Sequence, residues 1–230
     1  MTDTTLNLPA PPPNFRGLHP DLPITVYHRH LPHWRQEGAT YFVTFRLADA
    51  LPQEKLQLLK RMREEWERTH PPPRSEGDWK AHAREMTNSA ERWLDEGYGA
   101  CHFRERRWCD DLRDRLHHFQ DQRYLLACWV IMPNHCHTVL QPKEKHDLED
   151  LLGAMKGVTA RHINADRKST GTLWEEECYD RIIRDDEHLW RVIQYIGRNT
   201  RLAGLEAEAS WRRWIHPDWQ AAGWGFRDEA

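Results

Sequence analysis

An α+β domain, an antiparallel sheet with helices laid against it, is predicted by three observations. Two apolar runs at 124–131 and 135–141 stand only three residues apart, so they are antiparallel neighbours in the core. A third run at 40–47 is rich in β-branched and aromatic residues. Between and after these runs, apolar residues recur at three- and four-residue steps, the mark of amphipathic helices.

The elements follow in order. Residues 1–35 carry Pro-Ala-Pro-Pro-Pro near the start and prolines at 20, 23 and 32, a spacing that interrupts helix and strand, and are read as an extended arm. The run Thr40-Tyr41-Phe42-Val43-Thr44-Phe45-Arg46-Leu47 is the first strand. Pro52 opens a helix with Leu56, Leu59, Met62 and Trp66 on one stripe, expected to lie on the sheet and stopped by Pro71-Pro72-Pro73. Residues 74–100 are charged and weakly periodic, a mostly helical insertion in a domain spanning 36–205. A helix over 108–120 leads into the strand Tyr124–Ile131, too apolar for a sheet edge. Met132-Pro133-Asn134 is a tight turn, and the return strand runs from His135 to Gln141. A helix at 147–165 carries Leu148, Leu151, Leu152, Met155 and Val158. The last helix starts near Asp185 or Asp186, which can cap it, and buries Leu189, Val192, Ile193 and Ile196. Residues 206–230 are read as a tail.

Composition narrows the function. The 230 residues include no apolar run near the ~18 that would span a bilayer, and the start lacks the order of a secretory signal, so a soluble, cytosolic protein without membrane contact is expected. Five cysteines form no C-x-x-C and no complete disulfide framework, which suits a reducing compartment. A net charge of -3 excludes a bulk basic field, so any nucleic-acid contact must be local. Of the 33 basic residues 26 are Arg, which forks to phosphate, and 12 Trp offer flat rings to bases. An Arg-rich genome would leave the same signature. Dinucleotide, phosphate-loop, zincin and hydrolase-elbow motifs are absent from the sequence.

Two H-x-H pairs occur, about the number that 15 His would give by chance. His28-Arg29-His30 falls in the Pro-broken arm. His135-Cys136-His137 falls on a central strand, where period two turns both imidazoles to one face and Cys136 to the other, the geometry for two ligands on one ion. Core or surface histidines without a metal are the alternative. Tyr195 flanks the apolar stripe of the last helix, and Asn199 lies one turn on along the same edge, although Gly197 could loosen the helix there. Either could be structural, the tyrosine as a core residue and the asparagine as a helix-end residue. Tyr179 is a rival nucleophile.

The strand Tyr41–Phe45, the Met132-Pro133-Asn134-His135-Cys136-His137 turn, Ile182-Ile183-Arg184-Asp185-Asp186-Glu187, Tyr195-Ile196-Gly197-Arg198-Asn199 and Ala203-Gly204-Leu205 together resemble the single-tyrosine HUH transposases. The resemblance covers about 25–205 and is strongest to the REP-associated branch of the IS200-like family. It implies a ferredoxin-like antiparallel sheet flanked by helices, with the HUH motif on a central strand. It also implies His135, His137 and Asn199 as ligands of a divalent metal, Mg or Mn, and Tyr195 as the nucleophile. Relatives commonly have Pro where this chain has Thr200, which leaves the end of the helix and the aim of Asn199 open.

The activity implied is a metal-dependent single-stranded DNA endonuclease and strand transferase that forms a 5'-phosphotyrosine, acting on single-stranded or hairpin repeat DNA, as monomer or dimer. Arg184, Arg191, Arg198 and Arg201 are candidates for phosphate contacts, with a solvated helix face as the alternative. The insertion and the segment Trp211-Arg212-Arg213-Trp214 could also meet DNA. Two other readings stay open: a domesticated hairpin binder that does not cut, and a structural zinc protein using His135, His137 and Cys178 or Cys136.

Overall fold

A computed structural model describes residues 6–28 and 32–227. Its centre is a five-stranded, wholly antiparallel sheet. The strands are β3 (Tyr41–Arg46), β4 (Tyr124–Ile131), β5 (His135–Pro142), β6 (Tyr179–Ile182) and β7 (Arg213–Ile215), in the order β6-β3-β5-β4-β7. Without β7 the order is fourth, first, third, second, that of a β-α-β-β-α-β ferredoxin-like sheet. The helices are α1 (Gln53–Thr69), α2 (Glu76–Asp95), α3 (Arg106–His117), α4 (Leu148–Asp166) and α5 (Asp186–Leu202).

Period two divides the sheet into two apolar faces. Tyr41, Val43, Phe45, Trp129, Ile131, Cys136 and Leu140 pack with α3 and α4. Phe42, Cys128, Val130 and Val139 pack with Leu189, Val192, Ile193 and Ile196 of α5, and Trp219 and Trp224 close that layer. A register shift between Leu126 and Cys128 puts Ala127 and Cys128 on the same side, as a β-bulge does.

Several expectations need correction. The arm contains a hairpin, β1 (Thr25–His28) paired with β2 (Pro32–Arg35). Arg35 Nη1 meets Asp180 Oδ1 at 2.6 Å, His33 Nδ1 meets Asp180 Oδ2 at 2.6 Å, and Arg35 also pairs with Glu149, so side-chain charge fastens the hairpin to β6 and α4. Arg29 and His30 of the first H-x-H pair lie outside the described residues. Helix α1 buries no residue fully: it meets α2, and its half-buried Leu56, Leu59 and Met62 pack against the core on the α3 and α4 side. The segment after 205 is no loose tail, since β7 forms the outer edge of the sheet beside β4. Within it Arg212 is 1% exposed, held by Glu208, the Phe103 carbonyl at 2.9 Å and the Ile131 carbonyl at 3.0 Å, so it is not presented to DNA. Among the described residues no helix is long and apolar enough to cross a membrane.

Candidate active site

Helix α5 is fixed at both ends. Asp185 caps its start by accepting from the His188 amide at 2.7 Å. At its end Gly204 adopts φ +67°, its amide reaches the Arg201 carbonyl at 3.0 Å, and the Leu205 amide reaches the Thr200 carbonyl at 2.7 Å, a Schellman closure. This stop replaces the proline missing at 200. Helix α5 runs unbroken through Gly197, where a side chain is excluded: a Cβ would stand 2.8 Å from the Phe226 ring.

The apolar stripe of α5 on β4 turns Tyr195 toward the strand that bears the imidazoles. Its Oη stands 3.3 Å from His137 Nε2, and its ring meets Phe42 edge-on while Phe42 stacks on His137. The Nε2 atoms of His135 and His137 are 3.1 Å apart. Cys136 points to the opposite core.

Both imidazoles are buried and held from behind. Asn134 donates through Nδ2 to the Tyr98 carbonyl at 3.0 Å, which turns its Oδ1 to His135 Nδ1 at 2.8 Å. An amide oxygen only accepts, so His135 carries its hydrogen on Nδ1 and leaves an Nε2 lone pair. His137 Nδ1 meets Thr44 Oγ1 at 2.7 Å, a partner able to donate or accept. Burial holds His135 down to about 3, and burial, then His135 and Arg181, holds His137 well below the usual histidine range. The pair is neutral at physiological pH, the form that binds metals.

Asn199 is fully buried; its Nδ2 donates to the Tyr195 carbonyl at 2.7 Å, while its Oδ1 is buried without a hydrogen-bond partner. Such an acceptor costs about 1–3 kcal/mol unless something binds it. Two neutral nitrogens and an orphaned amide oxygen fit a divalent cation. Cis donors on an octahedral ion at ~2.1 Å stand about 3 Å apart, which the imidazole spacing matches. No three His, Cys, Asp or Glu side chains converge to hold a metal among the described residues, and Cys136 and Cys178 both pack with the far face, against the zinc reading.

Burial, with the negative fields of Glu91 and Asp95, raises the Tyr195 phenol far above its usual range, so it enters any reaction protonated. Glu91 belongs to α2 and is half-buried. Burial lifts its carboxyl to about 7 and that of Asp95 to about 6. Arg181 on β6 stands over the Phe42 ring at 5.1 Å, with its Nε buried and without a hydrogen-bond partner.

Of the four candidate arginines only Arg198 adjoins the phenol, 5.8 Å from its ring centre. Arg191 pairs with Glu187, Arg184 is exposed just before the helix, and Arg201 is exposed in its last turn. Tyr179 lies opposite Thr44 on β6 and is half-buried. Sequence reading missed Glu91, Arg181 and the support given by Thr44. For Glu91 the available signal was a carboxylate pair four residues apart beside Trp93 and Leu94, in a segment otherwise solvated.

Residues 102–199 match the family described as "Transposase IS200 like". Among solved structures, a REP-associated tyrosine transposase bound to a REP hairpin overlaps 80% of this chain and 77% of its own, at 15% identity and TM-score 0.39. A candidate transposase from Deinococcus radiodurans R1 overlaps 70% and 89%, at 16% identity and TM-score 0.31. Both superpositions are loose, and the fold assignment rests on strand order instead. No curated protein matches the chain.

Proposed function

We propose, from the match of residues 102–199 to the IS200-like transposase family, that the chain is a metal-dependent single-stranded DNA endonuclease and strand transferase working through a 5'-phosphotyrosine. The observation that carries this reading is the phenol of Tyr195 set 3.3 Å from His137, whose Nε2 converges with that of His135. Nucleophile and cation site are thus near enough to engage one phosphodiester.

Tyr195 Oη attacks phosphorus, the P–O3' bond breaks, and the products are a 5'-phosphotyrosine and a free 3'-hydroxyl. The ester conserves the bond, so a 3'-hydroxyl can later reverse the step without a nucleotide cofactor. His135, His137 and Asn199 would hold Mg or Mn, which when bound supplies charge neutralisation at a nonbridging phosphate oxygen. Thr44 and Asn134 fix the imidazole planes. Arg198, beside the phenol, is the arginine positioned to meet the scissile phosphate. Single-stranded or hairpin-flanking DNA is the substrate this reading favours, because in-line attack needs a backbone free to turn and exposed bases can stack on Trp and Arg surfaces.

The test is incubation of a labelled hairpin oligonucleotide with protein and Mn, resolved under denaturing conditions. A covalent adduct is expected with the wild type and none with Tyr195→Phe. An adduct undiminished in that variant moves the nucleophile, with Tyr179 next in line. Tight, salt-sensitive binding that survives loss of both His135 and Tyr195, with no adduct under any metal, would make the protein a non-cleaving binder of hairpin DNA.

A further inference from the structure

We propose that Arg181 on β6 is an anion subsite for the DNA strand and holds a nonbridging oxygen of the phosphate next to the scissile one. The inference rests on the single-stranded DNA reading above and adds to it a binding residue from outside the HUH strand and the tyrosine helix.

Strand register puts Arg181 on the site's face of the sheet. It stands opposite Phe42, and one step along, Tyr179, Thr44 and His137 form a row across β6, β3 and β5. The Arg181 guanidinium lies over the Phe42 ring, 5.1 Å from its centre. The same ring is 5.5 Å from that of His137 and 6.1 Å from that of Tyr195. Because β6 and β5 are two strands apart, about 9–10 Å, Arg181 is one aromatic ring removed from the reacting atoms. That is too far to share the oxygen facing the imidazole pair and suits the adjoining phosphodiester.

The guanidinium is set up for a partner it does not have. Its Nε is buried without an acceptor, and the side chain makes no hydrogen bond or ion pair among the described residues. A buried donor left unmade is costly, more so on a charged group, unless something binds it. Asp180, its neighbour in the chain, points to the opposite face and is taken by Arg35 and His33. Glu91 lies within the field of Arg181, but burial lifts its carboxyl to about 7, so it carries only part of a charge at neutral pH. Phe42 holds the planar fork by its face and leaves the edge free, and that edge is the part that matches two phosphate oxygens.

The surroundings reject a carboxylate and accept a phosphate. Arg184 follows β6 and is exposed; its amide donates to His188 Nδ1 at 3.1 Å, so that imidazole carries its hydrogen on Nε2. Burial, then Arg181 and Arg184, holds His188 down to about 4, which makes it a neutral donor on the α5 side of the same face.

The experiment uses the full chain and a labelled hairpin oligonucleotide with a single-stranded flank. Cleavage with Mn maps the scissile phosphate. Metal-free affinity is then measured for wild type, Arg181→Met and Arg181→Lys, on unmodified DNA and on DNA carrying one uncharged methylphosphonate at each position in turn. We expect Arg181→Met to bind about 10–100-fold more weakly, as for a hydrogen bond between charged groups, and its salt slope to fall by about 1. Arg181→Lys should restore the slope and only part of the affinity, since an ammonium does not fork. A methylphosphonate next to the scissile position should weaken the wild type and cost Arg181→Met nothing more, while losses at other positions add. The metal-free Arg181→Met protein should melt level with the wild type or above it, because the orphaned N–H is gone. A wild type that binds and forms adduct, with Arg181→Met equal in affinity and slope or with losses that add at every phosphate, overturns the subsite and leaves the phosphotyrosine reading standing. An Arg181→Met protein that melts far lower yet binds as well would make the guanidinium a brace for Phe42. A wild type that neither binds the flank nor forms adduct with any metal overturns both readings.

Discussion

Replacing Asn199 by Leu tests whether its buried amide serves a cation or only the fold. In the metal-free protein Asn199 Oδ1 is an unpartnered buried acceptor, at a cost of about 1–3 kcal/mol, while its Nδ2 bond to the Tyr195 carbonyl returns about 1 kcal/mol. Leu is similar in volume and removes both. The metal-free variant should therefore melt level with the wild type or slightly above it, within about 2–4 °C for each kcal/mol gained. Manganese at a hundred times its dissociation constant stabilises the wild type by ~2.7 kcal/mol. If removal of the ligand weakens binding by about 10–100-fold, a loss known even for outer partners of a site, that gain falls to roughly 0.4–1.4 kcal/mol at the same concentration. Melting followed by circular dichroism, with and without Mn, separates the cases. A variant that melts far below the wild type without metal, yet keeps the full Mn-induced rise, would show that Asn199 is structural and binds no ion.

Two further outcomes follow from the surroundings of Tyr195. Burial raises Glu91 from 4.5 in the unfolded chain to about 7, so the folded state holds the extra proton, and the contribution of this group to stability falls as pH climbs through that window. At about 1.36 kcal/mol per pH unit the loss reaches up to about 3 kcal/mol above pH 8. Glu91→Gln should accordingly melt higher than wild type at pH 8.5 and level with it at pH 4.5; an equal difference at both would contradict the buried carboxyl. Gly197→Ala brings a methyl within 2.8 Å of Phe226. The crowding costs about 1–3 kcal/mol and outweighs the ~1 kcal/mol gain in helix propensity. Chemical denaturation should show a net loss for Gly197→Ala that Phe226→Ala relieves in the double variant, and additivity of the two would mean that the segment after 219 does not press on α5.

What was legible from sequence was whatever a strong period announces. β3, β4 and β5 read as strands because their residues are β-branched, aromatic and nearly all buried, and α4 and α5 read as helices from their stripes. The imidazole pair and the phenol followed, since strand period two and a four-residue step on one helix set their directions. β6 gave no such sign: Tyr179, Asp180, Arg181 and Ile182 alternate no apolar face, and the strand exists because its backbone completes the edge of β3 and Asp180 receives the hairpin. β7 was hidden likewise, in a Trp- and Arg-rich segment whose Arg212 is buried by long-range carbonyls that no local pattern reveals. Glu91 was hidden by number, one of 36 acidic side chains, distinguished only by a fold that turns it inward.

The family match begins at 102 and ends at 199, yet the site is not complete within those bounds. The match holds both imidazoles, the phenol and the amide, the atoms proposed to react or to bind the ion. Thr44, whose hydroxyl allows His137 either tautomer, comes from β3 before it, as do Phe42, which lies against His137 and Tyr195, and Glu91 from the insertion. After it, Gly204 closes the helix, Phe226 occupies the space that Gly197 leaves open, and Arg213 Nη1 holds the Gly197 carbonyl at 2.6 Å. A phenol whose oxygen must stay near 3.3 Å from an imidazole tolerates little helix movement, because a displacement of about 1 Å in a reacting group can cost about 10²-fold in rate. The flanking segments hold that distance, so substitutions at Thr44 or Phe226 should act on the chemistry through position alone.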